Sequence, residues 1–276
     1  MKRLTMTLAI LMAFALPVTA QDAKREIIPV AGDVYLFKNN FHRSLIVVTS
    51  EGTVRVDPIN ANAGAWLNDN LNTITDKPVT HLIYSHSHGD HASGGAAHSG
   101  ATIIAHEGAP DEIDGIEPTM RVGDSHTLTV GDKTFELTNL GSGHDANMLA
   151  VVVRPENVAF IVDVAAPKRL PYKNFGGANI DDFIGQIAKA QSLDFEIFAP
   201  GHGNAGTKAD LDDAMTYMQD LKASVLAGLK SGKSTDDLVS ELTLDTTYAD
   251  WQQFEAWRSL NIQGMAKYLQ TSGQVN

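Results

Sequence analysis

The chain has no cysteine among its 276 residues. No thiolate can therefore serve as nucleophile or metal ligand, and no disulfide can form. Any metal bound here is bound by nitrogen and oxygen. Positive charge is also scarce: 21 Lys and Arg stand against 33 Asp and Glu, for a formal charge of −12. A surface that acidic repels phosphate backbones, so no nucleic-acid partner is expected. After the first twenty residues no apolar run is long enough to cross a bilayer, which argues against stable membrane insertion. No Gly-x-Ser-x-Gly occurs, so the chain offers no serine-hydrolase elbow. Internal repeats and low-complexity linkers are missing as well.

The composition that remains, 43% hydrophobic and 20% charged, suits a globular protein with a sizeable core. The first twenty residues, MKRLTMTLAILMAFALPVTA, are a different kind of segment. Lys2 and Arg3 open it, an apolar run from Leu8 to Leu16 follows, and Val18-Thr19-Ala20 closes it. That is the layout of a signal peptide cleaved after Ala20, so residues 1–20 read as a leader and 21–276 as a periplasmic or secreted protein.

The mature chain opens with strand signals. Three pairs of β-prone runs flank turn sequences: Ser44–Ser50 with Thr53–Val56, Thr127–Val130 with Thr134–Leu137, and Asn147–Val153 with Val158–Val162. Each predicts a hairpin. Residues 61–74 and Asp181–Ser192 have helical character, and Phe195–Phe198 is a strand. From Thr207 onward the pattern is helical only, with Leu211, Met215, Met218, Leu221, Val225 and Leu229 at helical spacing. Two sheets with helices outside them are expected over about 30–205, with C-terminal helices over about 206–276 packed on that body.

Residues 85–94 read SHSHGDHASG and place His86, His88, Asp90 and His91 within six positions. On an extended segment, residues two apart face the same way, so His86 and His88 can address one centre. Gly89 allows a sharp turn. Asp90 and His91 are adjacent, diverge, and can address a second centre nearby. Imidazole nitrogen and carboxylate oxygen are ordinary zinc ligands. Two centres need more donors than this loop holds. Three candidates sit at strand ends: His144 in Gly-Ser-Gly-His, Asp163 after an apolar strand, and His202 in Pro-Gly-His-Gly. The other five histidines, His42, His81, His98, His106 and His126, read as surface or packing residues.

In this order the motifs resemble the metallo-β-lactamase superfamily, over about residues 30–205. The resemblance implies a four-layer αββα sandwich, an α/β fold, with metals at one edge of the sheets. It implies two zinc ions per chain: His86, His88 and His144 on the first, Asp90, His91 and His202 on the second, and Asp163 between them. Asp57, after Val54-Arg55-Val56, is similar to the family's early strand-end aspartate that braces the ligands, although Pro58 departs from the pattern. A carboxylate at Asp163 suits zinc, iron or manganese, and the nitrogen-rich set favours zinc.

Such a set predicts a hydrolase in which metal-bound hydroxide, oriented by Asp90, attacks a small carbonyl substrate. The stretch Asn174-Phe-Gly-Gly-Ala-Asn179 is similar to one in β-lactamases, where the first Asn lies near the β-lactam carbonyl. That makes Asn174 a candidate substrate contact and β-lactam hydrolysis the leading single reaction. Those β-lactamases also carry a lysine that grips the substrate carboxylate; the matching position here is Ala166, and the nearby Lys168 and Arg169 are candidate anion contacts in its place. A lactonase, thioesterase or phosphodiesterase of the same fold is the alternative, and a metal-binding protein without catalysis is another.

Overall fold

The structure is a computed structural model and describes residues 23–275. The leader assigned to residues 1–20 lies outside the described residues. None of the described helices is long and apolar enough to cross a membrane.

Among the described residues, thirteen strands form two sheets. The first holds, in spatial order, β1 (Arg25–Ala31), β2 (Val34–Asn39), β3 (His42–Val48), β4 (Thr53–Val56), β5 (Val79–Ile83), β6 (Thr102–His106) and β7 (Met120–Val122). Its first four strands are antiparallel and its last four run parallel. The second holds β8 (Ser125–Val130), β9 (Lys133–Asn139), β10 (Leu149–Arg154), β11 (Val158–Ile161), β12 (Ile197–Pro200) and the two-residue β13 (Gly206–Thr207). The three expected hairpins are β3–β4, β8–β9 and β10–β11. Strand sequence follows position. β9 alternates between buried and half-buried residues, whereas β10 and β11 are almost wholly buried because both of their faces are covered.

The helices are α1 (Ala61–Asn70), α2 (Gly89–Ala92), α3 (Ile180–Ser192), α4 (Ala209–Lys230), α5 (Thr235–Glu241), α6 (Asp245–Tyr248) and α7 (Phe254–Thr271). Caps fix several starts. The Asn60 side chain accepts from Ala63 N, Asn179 accepts from Asp181 N and Asp182 N, and Ser234 with Asp237 forms a full capping box.

Three apolar layers hold the elements together. Leu36, Leu45, Val56, Phe135, Val151 and Phe160 interdigitate between the two sheets. Phe37, Ile46, Ala63 and Leu67 fasten α1 to the outer face of the first sheet. Val152, Ile161, Phe183, Leu221 and Ile262 join the outer face of the second sheet to α3, α4 and α7. Each fully buried side chain of this kind contributes roughly 1.5–3 kcal/mol. The result is the αββα sandwich, with the C-terminal helices sharing a core with β10 and β11.

This layering gathers several strand ends at one edge. β4 and β5 run parallel, with Val56 opposite Ile83, so Asp57 lies beside Ser85. β11 and β12 run parallel, with Ile161 opposite Pro200, so the strand-end Asp163 comes near His202. Leu149 N donates to Ser85 O at 2.7 Å and ties the two sheets together at the same edge.

Candidate metal centre

At that edge the side chains form two clusters, each with four donor atoms within 4.8 Å of one another. The first is His86, His88, His144 and Asp163; the second is His42, Asp90, His91 and His202. Asp163 faces both. Its Oδ2 lies 3.6 Å from His86 Nε2 and 3.3 Å from His144 Nε2. Its Oδ1 lies 3.4 Å from His91 Nε2 and 3.0 Å from His202 Nε2. A tetrahedron with metal–ligand distances of about 2.0–2.1 Å has edges of about 3.3–3.4 Å, so these spacings fit donors around common centres.

The orientation of the rings shows which nitrogens are offered. Ser85 Oγ donates to Asp57 Oδ2 at 2.7 Å, so it accepts from His86 Nδ1 at 2.9 Å. That leaves the lone pair of His86 on Nε2, which is buried, faces the first cluster and has no hydrogen-bond partner. His202 Nδ1 lies 2.9 Å from the Phe41 carbonyl, which can only accept, so Nε2 again carries the lone pair. His88 Nε2 lies 3.4 Å from Asp145 Oδ2, which leaves Nδ1 facing the cluster, 2.9 Å from His144 Nε2. Far nitrogens anchored to carboxylate, hydroxyl and carbonyl are how ligating histidines are braced.

Electrostatics fit a cation as well. His91 is buried, which alone would disfavour its charge, yet Asp163, Asp57 and Asp90 push it up to about 9. Burial, with the neighbouring imidazoles, holds His86 down at about 3 despite Asp163. Asp57 is pushed up to about 6 by burial, opposed by His91 and by the Ser85 hydrogen bonds. Asp90 is held below the ordinary carboxylate range chiefly by its hydrogen bond from His42.

Local backbone places these groups. Asp57 and Asp163 both sit in the left-handed region, at φ +64° and +56°, so each carboxylate turns off the end of its strand. A Cβ at Gly201 would lie 2.6 Å from Val162 Cγ1 and 3.1 Å from His91 Cε1, which explains the glycine before His202. A Cβ at Gly143 would lie 2.3 Å from Gln186 Oε1. That glutamine is fully buried on α3, accepts from His144 N at 2.7 Å, and donates to the Gly141 and Asp145 carbonyls.

The structure thus brings His86, His88, Asp90, His91, His144, Asp163 and His202 to one edge, with Asp57 behind them. His42 departs from the sequence reading. Instead of a surface or packing role it takes a place in the second cluster, with Nε2 3.4 Å from Asp90 Oδ2. A β-bridge between His42 and His202 puts it there, with Arg43 N donating to Gly201 O at 2.8 Å. His81, His98, His106 and His126 lie outside both clusters. A cavity of about 820 Å³ opens over the centre, with His88, Asp90, His144, Asp163 and His202 on its floor. Asn174 and Lys168 are not on its lining. The Lys168 side chain is 61% exposed and faces Asp250 at 4.0 Å. Its neighbour Arg169 lines the cavity instead.

Fold and site together define the class: the chain has the metallo-β-lactamase fold. It is similar in structure to a metallo-beta-lactamase from Pontibacter korlensis, with a TM-score of 0.61 and 21% identity, over 71% of this chain and 100% of that one. In sequence it is similar to the 2,4-dinitroanisole O-demethylase subunit alpha of Nocardioides sp. (strain JS1661). The two are 24% identical over 267 residues, 89% of this chain and 80% of that protein. No protein-family model matches the chain.

Proposed function

We propose that the protein is an exported, zinc-dependent hydrolase of small substrates. His86, His88 and His144 would hold one ion, Asp90, His91 and His202 a second, and Asp163 would be shared. The observation that carries this reading is the set of braced imidazoles whose free nitrogens converge on the two oxygens of Asp163. A divalent cation in such a donor set supplies Lewis acidity, lowering the pKa of water from about 15.7 to about 7.

The chain's own groups supply the rest. Asp90, half-exposed on the cavity floor, is placed to orient the attacking water by accepting its hydrogen bond. His42 holds that carboxylate in position. Apolar walls limit bulk water around the reacting bond.

A β-lactam is the first substrate candidate, supported by the leader-like residues 1–20 and by the likeness of the 174–179 stretch, of which Phe175, Gly176 and Ala178 line the cavity and Asn174 does not. A lactone, a thioester and a phosphodiester follow. An electron-poor aryl ether is a second class, favoured by the name of the Nocardioides relative. There water would bond to the ring carbon bearing the alkoxy group, the carbon–alkoxide bond would break, and the alkoxide would leave with a proton.

The test joins metal analysis of the purified protein to a panel of nitrocefin, a γ-lactone, a thioester, bis(4-nitrophenyl) phosphate and 2,4-dinitroanisole. Turnover of at least one, lost with EDTA and regained with zinc, is expected. Bound zinc with no turnover across the panel would leave a metal-binding protein without catalysis. Export is checked separately: mature protein from the periplasm or medium should begin at Gln21.

A further inference from the structure

We infer that the cavity takes a flat aromatic substrate bearing one anionic group, which Arg169 grips while the ring lies against Tyr172 and Trp257. This rests on the hydrolase reading above and names its substrate class. The volume of about 820 Å³ lies within the range of small-molecule sites, roughly 300–1,000 Å³. Aromatic residues make up only 7% of the chain, yet Tyr172, Phe175, Tyr217, Trp251 and Trp257 all line this one space. They come from the 164–177 segment, α4, the turn before α7, and α7 itself. Their faces are already set against one another, with Tyr172 edge-on to Trp257 at 5.2 Å and Tyr217 tilted on Trp251 at 5.7 Å. Phe175, Tyr217 and Trp251 are almost wholly buried and back the wall, so the rings open to a ligand are those of exposed Tyr172 and half-buried Trp257.

Arg169 is the sole lysine or arginine among the described residues that line the cavity. Its guanidinium lies 4.9 Å over the Trp257 ring. Among the described residues no carboxylate lies within ion-pair distance of it, and its fork donates no hydrogen bond. The backbone that carries it is fixed: Arg169 bridges to Gln252, Leu170 N donates to Gln252 O, and Gln252 N donates to Lys168 O. A half-buried guanidinium with unused donors is a costly arrangement unless a ligand completes it. Burial disfavours its charge and Asp163 sustains it. The planar fork matches a carboxylate or a similar oxyanion.

Two of the three tryptophans, Trp251 and Trp257, line the cavity, while Trp66 stacks on Phe37 in another part of the molecule. Tryptophan emission therefore reports on occupancy. The experiment titrates zinc-loaded and EDTA-treated full-length protein with 2-naphthoate and with its neutral counterpart 2-naphthylmethanol. Both should quench, with 2-naphthoate bound at least about tenfold more tightly, the scale of one charge-assisted hydrogen bond. Arg169→Gln should remove that preference, and chelation should not. Arg169→Lys keeps the charge without the fork, should keep part of the preference, and serves if Arg169→Gln fails to fold by circular dichroism. Undiminished preference in Arg169→Gln overturns the proposal. So does a preference that disappears with EDTA, since the anion would then sit on the cations, and so does an absence of quenching. Naphthoate binding without turnover of any panel substrate would reject the hydrolase reading and leave this one standing. Turnover of aliphatic lactones without naphthoate binding would do the reverse.

Discussion

Two buried polar regions lie on either side of Asp57, and they are finished differently. Behind it, Arg55 is fully buried, yet every guanidinium nitrogen has a partner. Nε donates to Ser44 Oγ and the Asp57 carbonyl, Nη2 donates to the Pro58 carbonyl, and Nη1 lies 2.6 Å from His98 Nε2. In front of it, His86 Nε2 and His91 Nδ1 are buried without hydrogen-bond partners, and the carboxylates of Asp90 and Asp163 stand close together among imidazoles. The first region closes on itself and serves the fold. The second is complete only with something positive added. Between these two regions, burial is shared and the difference lies in the satisfaction of donors and acceptors.

The sharpest way to break this contrast is Asp163→Ala. Activity on the best panel substrate should fall at least about a thousandfold, near 4 kcal/mol in barrier, measured as kcat/KM. The urea midpoint of the EDTA-treated variant should fall, because the imidazoles of His91, His144 and His202 lose the carboxylate that partners them. Arg55→Ala should act through the fold itself, costing about 3–5 kcal/mol in urea unfolding with or without zinc, since it leaves a buried network unpaired. A smaller effect is expected from His42→Ala: affinity for one cation falls about 10–100-fold in chelator competition while the other is unchanged. Equal retention of both cations would return His42 to an ordinary surface role.

The mildest effect is on pH dependence. Burial and the adjacent Arg55 hold His98 down at about 3, against an ordinary value of 6.5. Between those values the unfolded chain binds more protons than the folded one, so stability present above pH 6.5 is lost as pH falls toward 3. His98→Gln should flatten that slope in urea unfolding of EDTA-treated protein from pH 7 to 5. His91 has the opposite sign. It is held at about 9, and its contribution is present below pH 6.5 and lost as pH rises through 9.

Much of the centre was legible because its donors carry local signatures. His86 to His91 share one loop, and His144, Asp163 and His202 follow glycines or strand ends. The hairpins and the helical C-terminal part were legible from period and turn residues. His42 was not, since its role depends on a β-bridge to His202, 160 positions away, which no local spacing encodes. Gln186 was hidden on a helix whose apolar face masks one polar member. Lys168 and Arg169 are chemically similar neighbours in sequence. Only the pairing of their loop with Gln252 decides that one faces water and the other the cavity.

The clip between His42 and His202 has a further consequence, for timing. The last donor in the chain is pinned by the turn from β2 to β3, through the Phe41 carbonyl and the Arg43 amide. A nascent chain that has not yet reached residue 202 holds only a partial set of donors, without its closing imidazole. Tight capture of a metal by this donor set would therefore wait until both ends of the sandwich have met.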